Sequence, residues 1–573
     1  MTGHANWYFV AAVFDADSRK VTIYQIAQKG RPNPTTAVAQ HAIAAGNAAA
    51  NSTPLLIGAG WGEAEPVPSW LFNGKIARPA VFGRALDLAD IERVRQSGAS
   101  VVGGAVAAWA FEREMSGHSV IDMAGGHHGQ THNTPARAVT GPSWRLGSMD
   151  WKAAPDQFDA IYFHASDRAD AGWETSVSFT IPDDAESGMY AARLRAGEAT
   201  YHAVFTVLPK AFGTSPIAFV VPTFSYLAYS SAQYDKHWDG SGVLYSHWHR
   251  PHPVIRPYAT GYRREGVMPW TYDADSHIVD WLEVRGYRVD FITDHDIHHD
   301  PALLSRYRVV ITATHPEYIS EQIWTGIEAY LNEGGRLMYM GGNGFYWVTS
   351  LSADGACTEV RRHDGSQPYQ VPPAEYYHNT TGEFGGLWRF RGYAPQELVG
   401  VGFTAQGFAA LAGPGTHCRP YNVLEDGRSP AGAWVFEGVD TSRPIGDFPS
   451  LVWPGGPAGL EIDRVDYAQG TPATTLVLAS ATGFGDEYQH IVEEVSSANG
   501  MQGGTVNHFV RADMALRYYP KGGAVWSSGS IAWSGSLSHN GYDNAVSRIT
   551  QNVLDMFVSS EALPCAPEEA LLA

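Results

Sequence analysis

The chain has 573 residues, 44% apolar and 17% charged, and its 39 Lys and Arg against 59 Asp and Glu leave a net charge of −20. That composition excludes a disordered chain, and the length exceeds what one hydrophobic core serves, so two or three domains are expected. The acidic surplus disfavours nucleic acid and anionic membrane surfaces as partners and suits a neutral or cationic small substrate. No run of about eighteen apolar residues offers a membrane span. The opening "MTGHANWYFVAAVFDADSRK" lacks the basic-then-apolar layout of a signal peptide. Cys357, Cys418 and Cys565 stand far apart without a CxxC pair, which points to a reduced cytoplasmic compartment.

Residues 1–148 read as all-β. "NWYFVAAVFD" and "KVTIYQ" alternate apolar and polar residues across an Asp-Ala-Asp-Ser turn. In "WLFNGKIARPAVFGRALDLADIERV" a strand pair leads into a short helix, with Asp87 or Asp90 as its cap. These strings resemble a laminin-G or concanavalin-like β-sandwich, here a partial one, because the strands that would precede "NWYFV" are missing. An open apolar edge of that kind needs cover from elsewhere. Residues 149–212 hold short strands at regular spacing, "QFDAIYFHA", "WETSVSFTIP", "SGMYAARLRAG" and "ATYHAVFTVLP", as in a small Ig-like sandwich.

From residue 213 to 562 the pattern becomes α/β. Apolar strands "IAFVVPT", "YRVDFIT", "YRVVITAT" and "RLMYMGGN" alternate with amphipathic helices. One of these, "DSHIVDWLEVRG", puts Ile278, Trp281 and Leu282 on one face and Gly286 at its stop. Continuous apolar strands between such helices imply a doubly wound parallel sheet covered on both faces. "AVWSSGSIAWSGSL" reads as a hairpin, "NAVSRITQNVLDMFVSS" as a closing helix, and 563–573 as a tail.

Ligands of such sheets bind beyond the carboxyl ends of the strands, so the residues following each strand are the candidates. After the first come Tyr226, Tyr229 and Tyr234; after the second, "DHDIHHD"; after the third, His315 and Glu317; after the fourth, "GGNGFYW" with Asn343. "DHDIHHD" is either a metal cluster or a helix start capped by Asp294, Asp296 or Asp300. The fourth stretch has the strand, Gly turn and helix layout at which glutamine-amidotransferase-like domains carry a cysteine. An asparagine stands there instead, which cannot attack but can donate to an oxyanion. No GxSxG elbow occurs either. Glu317, at a buried strand end, has to be paired, protonated or metal-bound. A phenol titrates near about 10 and becomes a phenolate ligand at neutral pH only against a strong Lewis acid. Two tyrosines and a glutamate around ferric iron would meet both needs, as one option beside pairing or protonation of Glu317.

Taken together, "SYLAY", "YDKHWDGSGVLYSHWHRP", "HPEY", "GGNGFYW", "AGLEIDRVDYAQGTP", "HFVRADM" and "SGSLSHNGYDNAVSRITQNVL" resemble the large (β) subunit of N,N-dimethylformamidase over essentially the whole chain. The resemblance implies a mononuclear Fe(III) held by Tyr229, Tyr234 and Glu317, and hydrolysis of small N-alkylated amides such as N,N-dimethylformamide. His315, Asn343 and Glu461 would be catalytic, with Glu461 as general base and the other two as oxyanion donors; Phe509 would form a pocket wall. The interval between the two tyrosines is shorter here than in the family, which leaves Tyr226 as an alternative to Tyr229. The family also implies a small helical partner subunit and oligomerisation of the large chain. The rival reading is a glycan- or ligand-binding protein, a lectin-like sandwich beside a degenerate amidotransferase-like domain.

Overall fold

The computed structural model describes residues 7–29, 36–43, 52–62, 68–230, 244–252, 255, 257, 270–362, 374–407, 417–452, 455–491 and 500–564. They belong to two compact units. One comprises residues 1–172, 237–244 and 371–384, the other residues 173–236, 245–370 and 385–573.

The first unit is β-rich. Trp7–Asp15, Lys20–Lys29 and Thr36–Ala42 form an antiparallel sheet, and its first turn is closed by the Asp15 carboxylate, which accepts from the backbone of Asp17 and Ser18. A four-stranded sheet joins Ala80–Phe82, Ala105–Ala110, Ser119–Asp122 and Gly129–Gln130. The helix Leu88–Ser97 starts at Asp87, whose side chain accepts from the Asp90 amide. Ala160–Phe163 pairs with Gly74–Ala77 on one side and Ala136–Val139 on the other, so this unit runs on past residue 148 to Gly172. The Arg137 guanidinium is buried but donates to the carbonyls of Phe111, Arg113, Glu114, Gly117 and Ser119, which replaces the water it has lost.

The second unit begins with a segment, residues 173–182, that forms no strand; its side chains are exposed, though the Phe179 ring meets Phe205 edge-on at 5.9 Å. A long hairpin follows, Gly188–Ala196 paired with Ala199–Val207. The α/β part then runs β1 (Ile217–Val221), α1 (Thr223–Ser230), α2 (Tyr272–Val284), β2 (Asp290–Thr293), α3 (Asp294–His299), β3 (Val309–Thr312), α4 (Glu321–Asn332), β4 (Arg336–Tyr339), β5 (Asn422–Val423), β6 (Glu461–Arg464), β7 (Leu476–Ala481), β8 (Ala512–Tyr518), β9 (Ala524–Ser527) and α5 (Ala545–Val558). One eight-stranded sheet has the order β2-β1-β3-β4-β9-β8-β7-β5. Its first five strands run parallel and the last three antiparallel. β1, β3, β4 and β9 are buried at every position, as strands covered on both faces must be. α2 buries Ile278, Trp281 and Leu282 and ends before Gly286 at φ +77°, the left-handed conformation that stops a helix.

Three local expectations are corrected. The hairpin expected at 524–537 is absent: β9 lies between β4 and β8, and Ile531–Ser536 coils into a buried 3₁₀ turn started by the Ser530 side chain. "DHDIHHD" is a helix start, but its cap is Thr293, which bonds reciprocally with Asp296. After β4 the Gly turn leads to a short parallel pairing of Trp347–Val348 with Tyr318–Ile319 rather than to a helix.

Candidate functional site

β1 is flanked by β2 and β3, so the crossovers leaving β1 and β3 diverge there. In open sheets of this type such a divergence marks the usual ligand position, beyond the strands' carboxyl ends. The residues gathered at it come from α1 after β1, the 313–317 segment after β3, the Gly turn after β4, and β6.

The 313–317 segment is pinned from two sides. The buried Asp275 carboxylate, in the first turn of α2, accepts from the Thr314 amide at 2.8 Å and its hydroxyl at 2.7 Å. Ser225 of α1 accepts from the amides of Glu317 and Tyr318 at 3.0 and 3.3 Å. The Gly turn approaches so closely that a Cβ on Gly341 would lie 1.9 Å from the Thr314 carbonyl oxygen, and one on Gly342 2.5 Å from that of Glu461. Only glycine permits this contact between backbones.

Within this frame the side chains converge. The Tyr229 phenol donates to Glu317 Oε2 in a short contact. Glu317 Oε1 accepts from Trp347 Nε1 at 3.1 Å and Asn343 Nδ2 at 3.2 Å. Asn343 Nδ2 also donates to Glu461 Oε2 at 2.9 Å. His315 Nε2 lies 2.9 Å from Glu461 Oε2 and 3.4 Å from Glu317 Oε2, in neither case aligned as a hydrogen bond. The imidazole stacks on the Tyr229 ring at 5.6 Å between centroids. His315, Glu317, Asn343 and Glu461 are all buried.

The electrostatics follow from crowding anionic groups away from water. Burial, the Glu317 charge and further phenol and carboxyl neighbours push the Tyr229 phenol well above its ordinary range. Glu317 is also raised, first by burial, with His315 opposing and Glu461 reinforcing the shift. For His315 burial acts downward, but Glu461 and Glu317 outweigh it and favour the imidazolium. A phenol and a carboxyl that both resist ionisation, side by side, are what a hard cation between them would reverse.

The residues present fit such a cation. Tyr229 and Glu317 offer adjacent oxygens, and His315 Nδ1 and Asn343 Oδ1 are buried without hydrogen-bond partners among the described residues. Buried polar atoms left unpaired in a polar cluster indicate a place made for a ligand. Tyr234, the other expected ligand, lies outside the described residues. Tyr226 does not join the cluster: its hydroxyl donates to Asp275 Oδ2 at 2.6 Å. Asn343 directs its Nδ2 at two carboxylates, so as placed it bridges Glu317 and Glu461 rather than facing an oxyanion. The Phe509 ring packs under the Arg464 guanidinium at 4.3 Å and beside His490 at 5.5 Å, and its exposure is 38%.

Sequence reasoning missed Asp275, Trp347, Tyr339 and Asp463. The last carried a usable signal. Glu461 and Asp463 are two apart in a strand and share a face, so a second carboxyl had to accompany the first.

A family described as N,N-dimethylformamidase beta subunit-like, C-terminal, matches residues 136–544. The N,N-dimethylformamidase beta subunit of Paracoccus aminophilus is 34% identical to this chain, covering 97% of it and 79% of that relative's length. That of an Alcaligenes species is 34% identical, with the same two shares, 97% and 79%.

Proposed function

The chain belongs to the N,N-dimethylformamidase beta subunit family, and from that premise we propose that it hydrolyses small N-alkylated amides, releasing a carboxylic acid and an amine. For N,N-dimethylformamide the products are formate and dimethylamine. The observation that carries the reading is the contact of Tyr229 with Glu317, with Glu461 joined to the pair through His315 and Asn343.

Tyr229, Glu317 and Tyr234 would hold a ferric ion, which when bound supplies Lewis-acid polarisation of the amide carbonyl. Glu461 takes a proton from the attacking water and returns it to the departing nitrogen, as a general base and then acid. Its Oε2 accepts from Asn343 and lies beside His315 Nε2, which leaves Oε1 for the water. The unpartnered Nδ1 edge of His315 donates to the oxygen on which charge develops, a contribution of roughly 3–4 kcal/mol. Asn343 keeps the two carboxylates at fixed separation. Trp347, bonded to Glu317 Oε1, fixes that carboxylate's rotation.

Since the relatives are named beta subunits, we also propose a multi-subunit assembly, with a small helical partner and self-association of this chain, in the cytoplasm. Formate release from N,N-dimethylformamide by the purified protein, with iron content and visible absorption measured on the same sample, tests the reading. Turnover that tracks iron, with a phenolate-to-iron absorption band, supports it. A folded, iron-loaded protein that cleaves no N-alkylated amide overturns the substrate assignment, and turnover independent of iron overturns the cofactor.

A further inference from the structure

Asn343 has φ +51°, a left-handed conformation that costs most side chains about 1 kcal/mol or more. Its neighbours show what maintains it. The Asn343 amide donates to Asp463 Oδ1 at 2.7 Å, the Tyr339 hydroxyl donates to Asp463 Oδ2 at 2.8 Å, and the Gly344 amide donates to the Tyr339 oxygen at 2.6 Å. The consecutive amides of the turn are thus both captured, one by Asp463 directly and one through Tyr339. All of these groups are buried, so water cannot stand in for any of them. Asp463 also shares a strand with Glu461, one end of the bridge that Asn343 makes.

We propose that Asp463, with Tyr339, is the positioning device of the site: it locks the Gly342-Asn343-Gly344 turn so that the Asn343 side chain spans Glu317 and Glu461. Neither residue touches the reacting atoms; both act through Asn343. The inference rests on the hydrolase reading only in supposing that the bridge serves turnover. The lock itself is a statement about geometry.

Asp463→Asn and Tyr339→Phe, each alone and each combined with Asn343→Ala, form double-mutant cycles, read by kcat and KM and by a crystal structure of each single variant. Each single change lowers kcat by about 10–100-fold with KM little altered, and adds nothing further once Asn343 is alanine, because the effect is transmitted through that side chain. The crystal structures show the Asn343 amide withdrawn from one or both carboxylates. Full additivity in the cycles, or an undisturbed Asn343 in both variant structures, overturns the proposal. If Asn343→Ala alone leaves turnover intact, the role of the bridge in catalysis fails while the variant structures still decide whether Asp463 and Tyr339 hold the turn. Tyr339→Phe keeps the ring and guards against an Asp463 variant that does not fold.

Discussion

Tyr229 donates its phenolic hydrogen to Glu317, a residue 88 positions further along the chain. One belongs to the helix after β1 and the other to the segment after β3, so neighbouring parallel strands deliver them to one point. Burial holds both toward their neutral forms, and the Glu317 charge helps push the Tyr229 phenol up.

Tyr229→Phe removes one oxygen from this pair and keeps the ring against His315 and Trp270. The variant should fold, with a modest drop in melting temperature because Glu317 Oε2 gives up its phenolic donor. Iron content and the visible band should be lost and turnover should fall at least about 100-fold, read by metal analysis and formate release.

Glu461→Gln preserves shape and can still meet Asn343 and His315. It should retain iron and substrate affinity while kcat drops by about 10²–10⁴-fold. Steady-state kinetics beside metal analysis distinguishes this from loss of the ion.

Asp275 satisfies the Thr314 amide, the Thr314 hydroxyl and the Tyr226 hydroxyl at once. Asp275→Ala would strand three buried donors. A loss of about 3 kcal/mol or more in unfolding free energy is expected, measured by denaturant titration. Asp275→Asn, which can accept some of these bonds, should lose less.

Asp294 is a buried carboxyl whose pKa burial raises to about 8, with the Phe224 amide donating to it at 3.0 Å. Its folded pKa lies above its unfolded value near 3.8. Its contribution to stability is therefore greatest below the unfolded value and declines as pH rises toward the folded one. Asp294→Asn keeps an acceptor for Phe224 and has no charge to bury. It should flatten the pH dependence of stability between about pH 4 and 8 and be more stable than wild type at pH 8 by about 1–3 kcal/mol. Thermal melts at several pH values give the comparison.

Gly341→Ala drives a methyl into the Thr314 backbone. No rotamer avoids that contact, so the segment carrying His315 and Glu317 has to shift. A destabilisation of about 2 kcal/mol or more with near-complete loss of turnover is expected, whereas Gly438→Ala, with open space around it but φ +74°, should cost only about 1 kcal/mol and leave turnover unchanged.

That His315, Glu317 and Asn343 gather at one place was legible in the sequence because each follows a continuous apolar strand, and parallel strands bring their carboxyl ends to one rim. Glu461 was legible only through the family likeness: β6 lies in a small side sheet with Gly402–Gln406 and Gln489–His490, where strand order gives no direction. The residues that hold the site in place were hidden for a related reason. Asp275 meets Thr314 across 39 positions and Asp463 meets Tyr339 across 124, and no local periodicity encodes pairings of that range. Tyr226 and Tyr229 show the limit within one helix: three positions apart, they face different carboxylates, a distinction that depends on where α2 lies. The misread hairpin had the opposite cause. Ser-Gly-Ser is good turn chemistry, but β4 and β8 already occupy both edges of β9.

The placement of β9 beside β4 bears on how the molecule is made. β4 ends at Tyr339, and the strand that covers its free edge begins only at Ala524. A ribosome must therefore synthesise the whole intervening stretch, Glu461 included, before that edge can close. Until then the half-built sheet offers an adhesive margin to any neighbouring nascent chain, so yield on expression should improve with slower synthesis or added chaperone, and a chain halted short of β9 should be found in inclusion bodies.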